Sequence, residues 1–172
     1  MKRKILFFVL LVPAAFYILL KISGVYVNFY SNSMPYGLYR KVNRDPQKLS
    51  IAATCLNDEL AKIGLERGYL ARGRCETGIM PIVKRIVGVE GDQIRIDKGD
   101  EMINDVEFSQ YKILKHDSKG RLVKRYYEDT YTLKKNEFLL MANYKENSWD
   151  SRYWGAVNVE FVLEPLLTLG DK

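Results

Sequence analysis

An uninterrupted apolar run close to the N-terminus is the feature that most constrains this chain. Three cations, Lys2, Arg3 and Lys4, precede sixteen uncharged residues, Ile5 to Leu20. As a helix this run spans about 24 Å, which is short of a hydrocarbon core of about 30 Å. The apolar residues that follow Lys21 extend the span to an adequate length, with the flanking lysines reaching the headgroups. The sequence therefore predicts one membrane helix whose basic end stays in the cytoplasm.

This segment divides the 172 residues into two parts. We predict an anchor over residues 1–29 and one exported domain over residues 30–172, which is long enough to bury a core of its own. A cleaved signal peptide is the alternative, because a basic stretch before an apolar run is typical of one. No persuasive small-x-small cleavage site follows Leu20, and this favours a retained anchor.

Charge and cysteine content narrow the possible partners. The net charge of +6 comes from cations scattered along the chain. Dispersed basicity suits an anionic membrane surface, and no nucleic-acid-binding motif accompanies it, so we expect membrane lipids and no nucleic acid as partners.

Cys55 and Cys75 lack the further ligands of a zinc site, and on the exported side a disulfide is favoured over two free thiols. The acidic segments do not follow a calcium-loop pattern, so we expect no metal and no cofactor.

Strand and turn signals dominate the exported domain. The predicted strands are GLYRKV, SIAATC, PIVKRIVGV, QIRID, EMINDVEF, EFLLMAN and VNVEFVLEPLLTL. Asn57 is predicted to cap one helix, DELAKIGLER, whose length is limited by Gly64 and Gly68. A charged hairpin is expected around residues 117–120. The predicted fold class is therefore mainly β, with an N-terminal transmembrane helix followed by a small, coiled antiparallel β-domain that contains one short helix.

Ser33 raises the question of catalysis because it follows the apolar segment so closely. A serine nucleophile needs a base to take its proton and donors to hold the oxyanion. His116 is the only histidine and lies in a highly charged, turn-like stretch, so we interpret it as a solvated loop residue. A lysine is the other candidate base, because Ser–Lys pairs are a known variant of the catalytic triad.

Lys84 is the lysine whose surroundings suit a base. An ordinary lysine, with a pKa near 10.4, is neutral in only about one molecule in two thousand at pH 7, so a catalytic lysine must be kept dry. Strand alternation puts Ile82, Lys84 and Ile86 on one face. The alternative is an edge-strand lysine that discourages aggregation or extends to water. Spacing alone leaves both interpretations open.

Three sequence blocks bear on this choice. They are SNSMPYGLYR, VKRIVGVEGDQI and NSWDSRYWGAV, in that order. With them the chain resembles the type I signal peptidase family (S26) of Ser/Lys membrane proteases. It is most similar to the TraF-type peptidases of bacterial conjugative transfer, a branch of that family, in PYGLY, LERGYL and GRCETGIMPIVK. It departs from the usual signal peptidases where Ala142-Asn143-Tyr144-Lys145 replaces GDNR and where Pro35 directly follows the methionine.

The resemblance implies a fold of the signal peptidase type and a catalytic set. It implies that Ser33 is the nucleophile, that Lys84 is the general base and that Ser31 donates to the oxyanion.

Three residues of the late block take supporting places by the same resemblance. Ser148 is implied to orient Lys84, and Asp150 and Arg152 to brace the site as an ion pair. In the TraF-type branch an aspartate at the place of Asp150 is assigned with the serine and lysine, so the resemblance also implies that Asp150 is a catalytic residue together with Ser33 and Lys84. Trp149 and Trp154 suit the membrane interface, although core packing is the expected role of at least one of them.

The resemblance further implies a bacterial inner-membrane protein with one N-terminal span and its catalytic domain in the periplasm. Its substrate would be a membrane-associated protein, the precursor of the conjugative pilin, which is processed and in at least one family member cyclised. Two alternatives remain open. One is a general signal peptidase that acts on many exported preproteins, and the other is a non-catalytic scaffold for pilus assembly.

Overall fold

A computed structural model of the chain describes residues 23–28, 33–97, 100–103, 106–107, 112–128, 130–142 and 147–169. Residues 1–22 and 29 of the predicted anchor lie outside these ranges. Val25–Asn28 form a strand, so the prediction that the apolar residues after Lys21 lengthen the membrane helix is wrong for these four residues. No helix within the described ranges combines the length and the apolar character needed to cross a bilayer.

Ten strands and two helices make up the described part of the chain. The strands are β1 (Val25–Asn28), β2 (Gly37–Val42), β3 (Ile51–Thr54), β4 (Ile82–Gly88), β5 (Gln93–Asp97), β6 (Asp100–Ile103), β7 (Val106–Glu107), β8 (Thr130–Thr132), β9 (Leu139–Met141) and β10 (Phe161–Thr168). The helices are α1 (Asp58–Arg67) and α2 (Ser151–Trp154).

The strands form two antiparallel sheets. The larger sheet has six strands in the order β1-β2-β10-β3-β4-β9, and the smaller has four in the order β7-β6-β5-β8. The last strand, β10, pairs with both β2 and β3 and so joins the start of the domain to its middle. The prediction of a mainly antiparallel β-domain is confirmed.

Helix α1 begins and ends where local sequence signals put it. The Asn57 side chain accepts a hydrogen bond from the Leu60 backbone N–H at 3.0 Å, and such a cap contributes about 1 kcal/mol. Gly68 ends the helix in the left-handed conformation, with φ of 72°, which a residue with a Cβ adopts only at a cost. The predicted bounds of this helix are confirmed.

The prediction of a single helix is wrong, because α2 adds one turn. The Asp150 side chain accepts a hydrogen bond from the Arg152 N–H and starts this turn, and Gly155 ends it. The expected charged hairpin is a turn with one isolated bridge, between His116 and Leu122, and has no regular strands.

The core lies between the larger sheet, α1 and α2. Its buried members include Ala52, Leu56, Leu60, Ala61, Ile79, Ile82, Ile86, Leu140, Trp149, Tyr153 and Trp154. Trp149 and Trp154 are 9% and 4% exposed and meet edge to face at 6.3 Å between ring centroids. Both tryptophans therefore pack in the core, and the suggestion that they meet the membrane interface is wrong.

Candidate active site

Strand β4 carries Lys84 into the interior. Lys84 lies opposite Ala52 of β3 in the antiparallel register, and its same-face neighbours, Ile82 and Ile86, are buried. The lysine itself is only 4% exposed. The alternation predicted for this strand is confirmed. Burial disfavours the charged ammonium form relative to the neutral amine.

Ser33 lies in the connection between β1 and β2. The Asn28 side-chain amide donates to the carbonyl oxygens of Met34 and Pro35 at 3.0 and 3.1 Å. The Tyr39 hydroxyl donates to the Pro35 carbonyl at 2.6 Å. These three bonds tie the backbone that follows Ser33 to β1 and β2.

Ser33 and Lys84 line the same cavity, whose volume is about 1080 Å³. Met34 and Tyr39 line it beside the serine, and Ser148 lines it as well. A hydroxyl and a buried amine at one cavity are the two groups that an acyl-transfer site of the Ser–Lys type requires.

Asp150 and Arg152 form a completely buried ion pair. Arg152 Nε donates to Asp150 Oδ1 at 2.8 Å, and Arg152 Nη2 donates to Asp150 Oδ2 at 3.0 Å. The Asp150 carboxylate also accepts from the Ala142 N–H at 3.2 Å. Arg152 Nη2 donates in addition to the Ser148 carbonyl at 3.1 Å. The expected ion pair is present, and it fixes the backbone of the Ser148 segment.

The supporting residues differ in their access to the cavity. Asp150 does not line it, because its carboxylate faces Arg152 and two backbone N–H groups. Ser148 does line it, and its buried Oγ has no hydrogen-bond partner among the described residues. The proposed bond from Ser148 to Lys84 is thus not made in this conformation, and the orienting role stays a prediction. Ser31 lies outside the described residues.

The segment over residues 112–128, here termed the 112–128 loop, forms a further wall of the cavity. Leu114 and Val123 of this loop line it, and the Leu114 N–H donates to the Tyr153 hydroxyl at 3.0 Å. Burial raises the pKa of the Tyr153 phenol, which keeps its hydroxyl neutral. The Tyr127 hydroxyl donates to the Arg152 carbonyl at 2.9 Å. The buried ion-pair segment therefore holds the loop in place.

The loop is also fastened to the end of α1 by a network that the sequence did not predict. The Tyr69 hydroxyl donates to Asp117 Oδ2 at 2.6 Å, and Arg121 Nε donates to the same oxygen at 2.7 Å. The Tyr69 hydrogen bond, and then Arg121, hold the pKa of the Asp117 carboxyl well below its usual range. His116 next to it is exposed and lines the cavity. The sequence contains a local signal for the turn at Asp117. It contains none for the contact between Asp117 and Tyr69, because these two residues are 48 positions apart.

Comparisons with known proteins agree with the three sequence blocks. The model of the family "Signal peptidase, peptidase S26" matches residues 1–164. An Escherichia coli protein described as "Plasmid transfer protein TraF" is 33% identical over 155 residues, which cover 86% of this chain and 85% of the relative. A second Escherichia coli protein of the same description is 29% identical over 154 residues, covering 85% and 84% of the two chains.

Among solved structures, a signal peptidase I from Enterococcus faecalis V583 matches with a TM-score of 0.38 and 19% identity. The match covers 69% of this chain and 97% of the other.

Proposed function

The chain belongs to the signal peptidase family, peptidase S26, and on this premise we propose that it is a membrane-anchored serine peptidase with a Ser33/Lys84 dyad that processes the precursor of a conjugative pilin. The observation that carries the proposal is that Ser33 and the buried Lys84 line one cavity. The pilin part rests on the similarity to proteins described as plasmid transfer proteins.

The first half of the reaction forms an acyl-enzyme. The neutral Lys84 amine takes the proton of the Ser33 hydroxyl as its oxygen attacks the scissile carbonyl. The oxyanion that develops accepts hydrogen bonds from the Ser33 N–H and the Ser31 hydroxyl. The tetrahedral intermediate then collapses, the C–N bond breaks, and the ammonium of Lys84 returns its proton to the leaving amine.

The second half depends on the acceptor. Attack by water on the ester releases a trimmed chain, and attack by the substrate's own N-terminal amine releases a circular one. The amine outcompetes water when it is held close to the ester, because its effective concentration is then high. In either case Lys84 takes a proton from the acceptor and passes it to the Ser33 oxygen as the ester C–O bond breaks, which restores the free hydroxyl and the neutral amine.

Two substitutions test the dyad. Ser33→Ala removes the nucleophile, and Lys84→Arg keeps the charge but replaces the base with a group that does not deprotonate in proteins. We expect each to lower kcat by at least about 10³-fold. The matched controls are Ser118→Ala, which changes an exposed serine at the same cavity, and Lys62→Arg on the exposed side of α1. Retained activity in Lys84→Arg would refute the assignment of the base.

The substrate is identified in cells. Mass spectrometry of the pilin from strains with the wild-type chain, with Ser33→Ala and without the gene distinguishes full-length, trimmed and circular products. We expect only the wild type to yield a processed pilin. Broad accumulation of unprocessed preproteins would indicate a general signal peptidase instead. Normal pili in the Ser33→Ala strain would indicate a scaffold.

A further inference from the structure

A short hairpin over residues 71–80 forms the wall of the cavity that leads to β4. The Gly73 N–H donates to the Gly78 carbonyl at 2.9 Å, which pairs the two arms. The disulfide between Cys55 and Cys75 joins the hairpin to the end of β3. This hairpin, here termed the Cys75 hairpin, is therefore held at its turn as well as at its base.

The Cys75 hairpin presents two arginines that line the cavity, Arg72 and Arg74. The Arg74 guanidinium lies over the rings of Tyr26 at 4.7 Å and Phe161 at 5.8 Å, and these two rings stack on each other at 5.1 Å. Rings hold a guanidinium by its faces and leave the N–H groups at its edge available. Neither arginine has an ion pair or a side-chain hydrogen bond within the described part of the chain.

The remaining charges of the cavity do not compensate these cations. Among the described residues that line it, Asp117 is the only carboxylate. That carboxylate forms an ion pair with Arg121 at 2.7 Å and accepts the Tyr69 hydroxyl hydrogen bond. Among the described lining residues, Arg72 and Arg74 are therefore two cations for which the cavity offers no carboxylate that is not already bound.

The distance between this hairpin and Lys84 limits how far from the scissile bond an anionic group of the substrate peptide can lie when the arginines bind it. Arg72 pairs with Ile79 across the hairpin, and five residues of extended chain between Ile79 and Lys84 span at most about 17 Å. An extended substrate peptide covers the same length with about five residues. A group bound by Arg72 thus lies within about five residues of the scissile bond, and a group bound by Arg74, two residues further along the hairpin, lies within about seven.

We propose that Arg72 and Arg74 form a specificity subsite for a carboxylate of the substrate, located within about seven residues of the bond that Ser33 attacks. The carboxylate belongs to an aspartate or glutamate side chain or to the C-terminus of the substrate. Guanidinium groups bind carboxylates through paired, charge-assisted hydrogen bonds. The inference rests on the proposed peptidase function, and it adds the chemistry of the substrate that the cavity selects.

Binding to a chain that cannot cleave tests the subsite without relying on catalysis. Fluorescent peptides, each with one glutamate placed at successive positions around the cleavage site, are titrated into the full-length Ser33→Ala protein in detergent micelles. Two companion sets carry glutamine in place of glutamate or an amidated C-terminus, so that the two sources of the carboxylate are distinguished. We expect the charged peptide to bind about tenfold more tightly than its neutral partner at one position or at the terminus, and the preference to weaken with added salt.

Removal and reversal of the charge at the arginines supply the decisive controls. Arg72→Gln and Arg74→Gln, each combined with Ser33→Ala, are expected to remove the preference, and Lys62→Gln on the exposed side of α1 is expected to keep it. Arg72→Glu should reverse the preference toward a lysine at the same peptide position, which a general loss of structure would not do. Equal affinities for charged and neutral peptides in the parent chain would overturn the inference.

Two further outcomes separate the inference from its premise. If the wild type cleaves charged and neutral peptides equally well, the subsite is wrong and the peptidase proposal is unaffected. Charge-selective binding without cleavage of any peptide by the wild type refutes the peptidase proposal and supports the subsite as a carboxylate site. Binding of the same arginine variants to vesicles of anionic lipid is measured as well. A loss of affinity for the vesicles alone would mean that the cations face the membrane surface and that the subsite is wrong.

Discussion

Ser148 illustrates a side chain whose environment makes sense only if something else binds there. Its Oγ is buried, lines the cavity and lacks a hydrogen-bond partner among the described residues. A buried hydroxyl without a partner costs about 1–3 kcal/mol relative to a satisfied one. In the reacting complex a partner is available if the Lys84 amine turns toward Ser148.

This leads to a prediction for Ser148→Ala. We expect the free energy of unfolding to stay within about 1 kcal/mol of the wild type or to rise slightly, because no hydrogen bond is lost. We expect kcat to fall by at least about tenfold, because the amine loses a group that orients it. Urea unfolding and peptide cleavage measure the two effects. A destabilised protein with an unchanged kcat would show that the hydroxyl is structural.

Asp150 differs from Ser148 in that both of its carboxylate oxygens accept hydrogen bonds. Asp150→Asn leaves the fully buried Arg152 without a counter-charge, and breaking a buried pair in this way costs about 3–5 kcal/mol. Glu164 provides the control, because it is only partly buried and pairs with two exposed arginines, Arg44 at 2.6 Å and Arg40 at 3.3 Å. Glu164→Gln should cost no more than about 1 kcal/mol. Urea unfolding compares the two. Equal losses would contradict the argument from burial.

The same geometry predicts how Asp150 affects activity. Its carboxylate does not reach the cavity, so kcat for each folded molecule of Asp150→Asn should stay within about tenfold of the wild type. Lys84→Arg, by contrast, should lower kcat by at least about 10³-fold. A loss as large as that of Lys84→Arg, in a folded sample, would instead favour Asp150 as a member of the catalytic set.

At the scale of elements, the 112–128 loop gives a pH-dependent prediction. The pKa of Asp117 is held below its unfolded value of 3.8, first by the Tyr69 hydroxyl and then by Arg121. The ionised carboxylate therefore stabilises the fold above that value, and this contribution is lost as the pH falls through the lower, folded-state pKa. Asp117→Asn should be less stable than the wild type at pH 7, and the gap should narrow below pH 3.8.

Urea unfolding of both proteins from pH 2.5 to pH 7 measures this gap. Asp45→Asn, at an exposed position outside the network, provides the control and should show little difference at any pH. A gap for Asp117→Asn that does not change with pH would mean that charge plays no part in fastening the loop.

An element could be predicted from the sequence where residues close to it in the chain, such as a helix cap or an alternating apolar pattern, determine it. Helix α1 has its cap, Asn57, and its terminating Gly68 in the sequence itself. The alternation of β4 placed Lys84 on the same face as Ile82 and Ile86, but it did not decide between a buried lysine and one that reaches water. The 112–128 loop shows the limit. Its contacts with Tyr69 and Tyr153 join residues 48 and 39 apart, and no pattern within a few residues of Asp117 contains that information.

For the molecule as a whole, the cavity and the proposed dyad bring together residues from distant parts of the chain. Ser33 comes from the connection after β1, Lys84 from β4 and Ser148 from the segment before α2. The resemblance of three blocks implied that these residues meet, but periodicity and composition did not. The sequence predicted the Cys55–Cys75 disulfide, favoured over free thiols, and the structure confirms it.

That disulfide provides the last prediction, because it connects stability to substrate binding. It links two residues that are 20 apart, and closing a loop of this size stabilises a fold by about 3 kcal/mol. Replacing both cysteines by alanine should lower the free energy of unfolding by about that amount. Because the Cys75 hairpin then loses one of its attachments, we also expect KM for charged peptides to rise while kcat changes little.

Reduction of the wild-type disulfide gives an independent comparison. If the constraint alone matters, the reduced wild type and the double alanine variant should agree in both stability and KM, since each has lost the same covalent link. A lower kcat at saturating substrate would mean instead that the hairpin positions β4, and with it Lys84. A KM that is unaffected in both proteins would mean that the backbone pairing of residues 71–80 is sufficient to hold Arg72 and Arg74 in place.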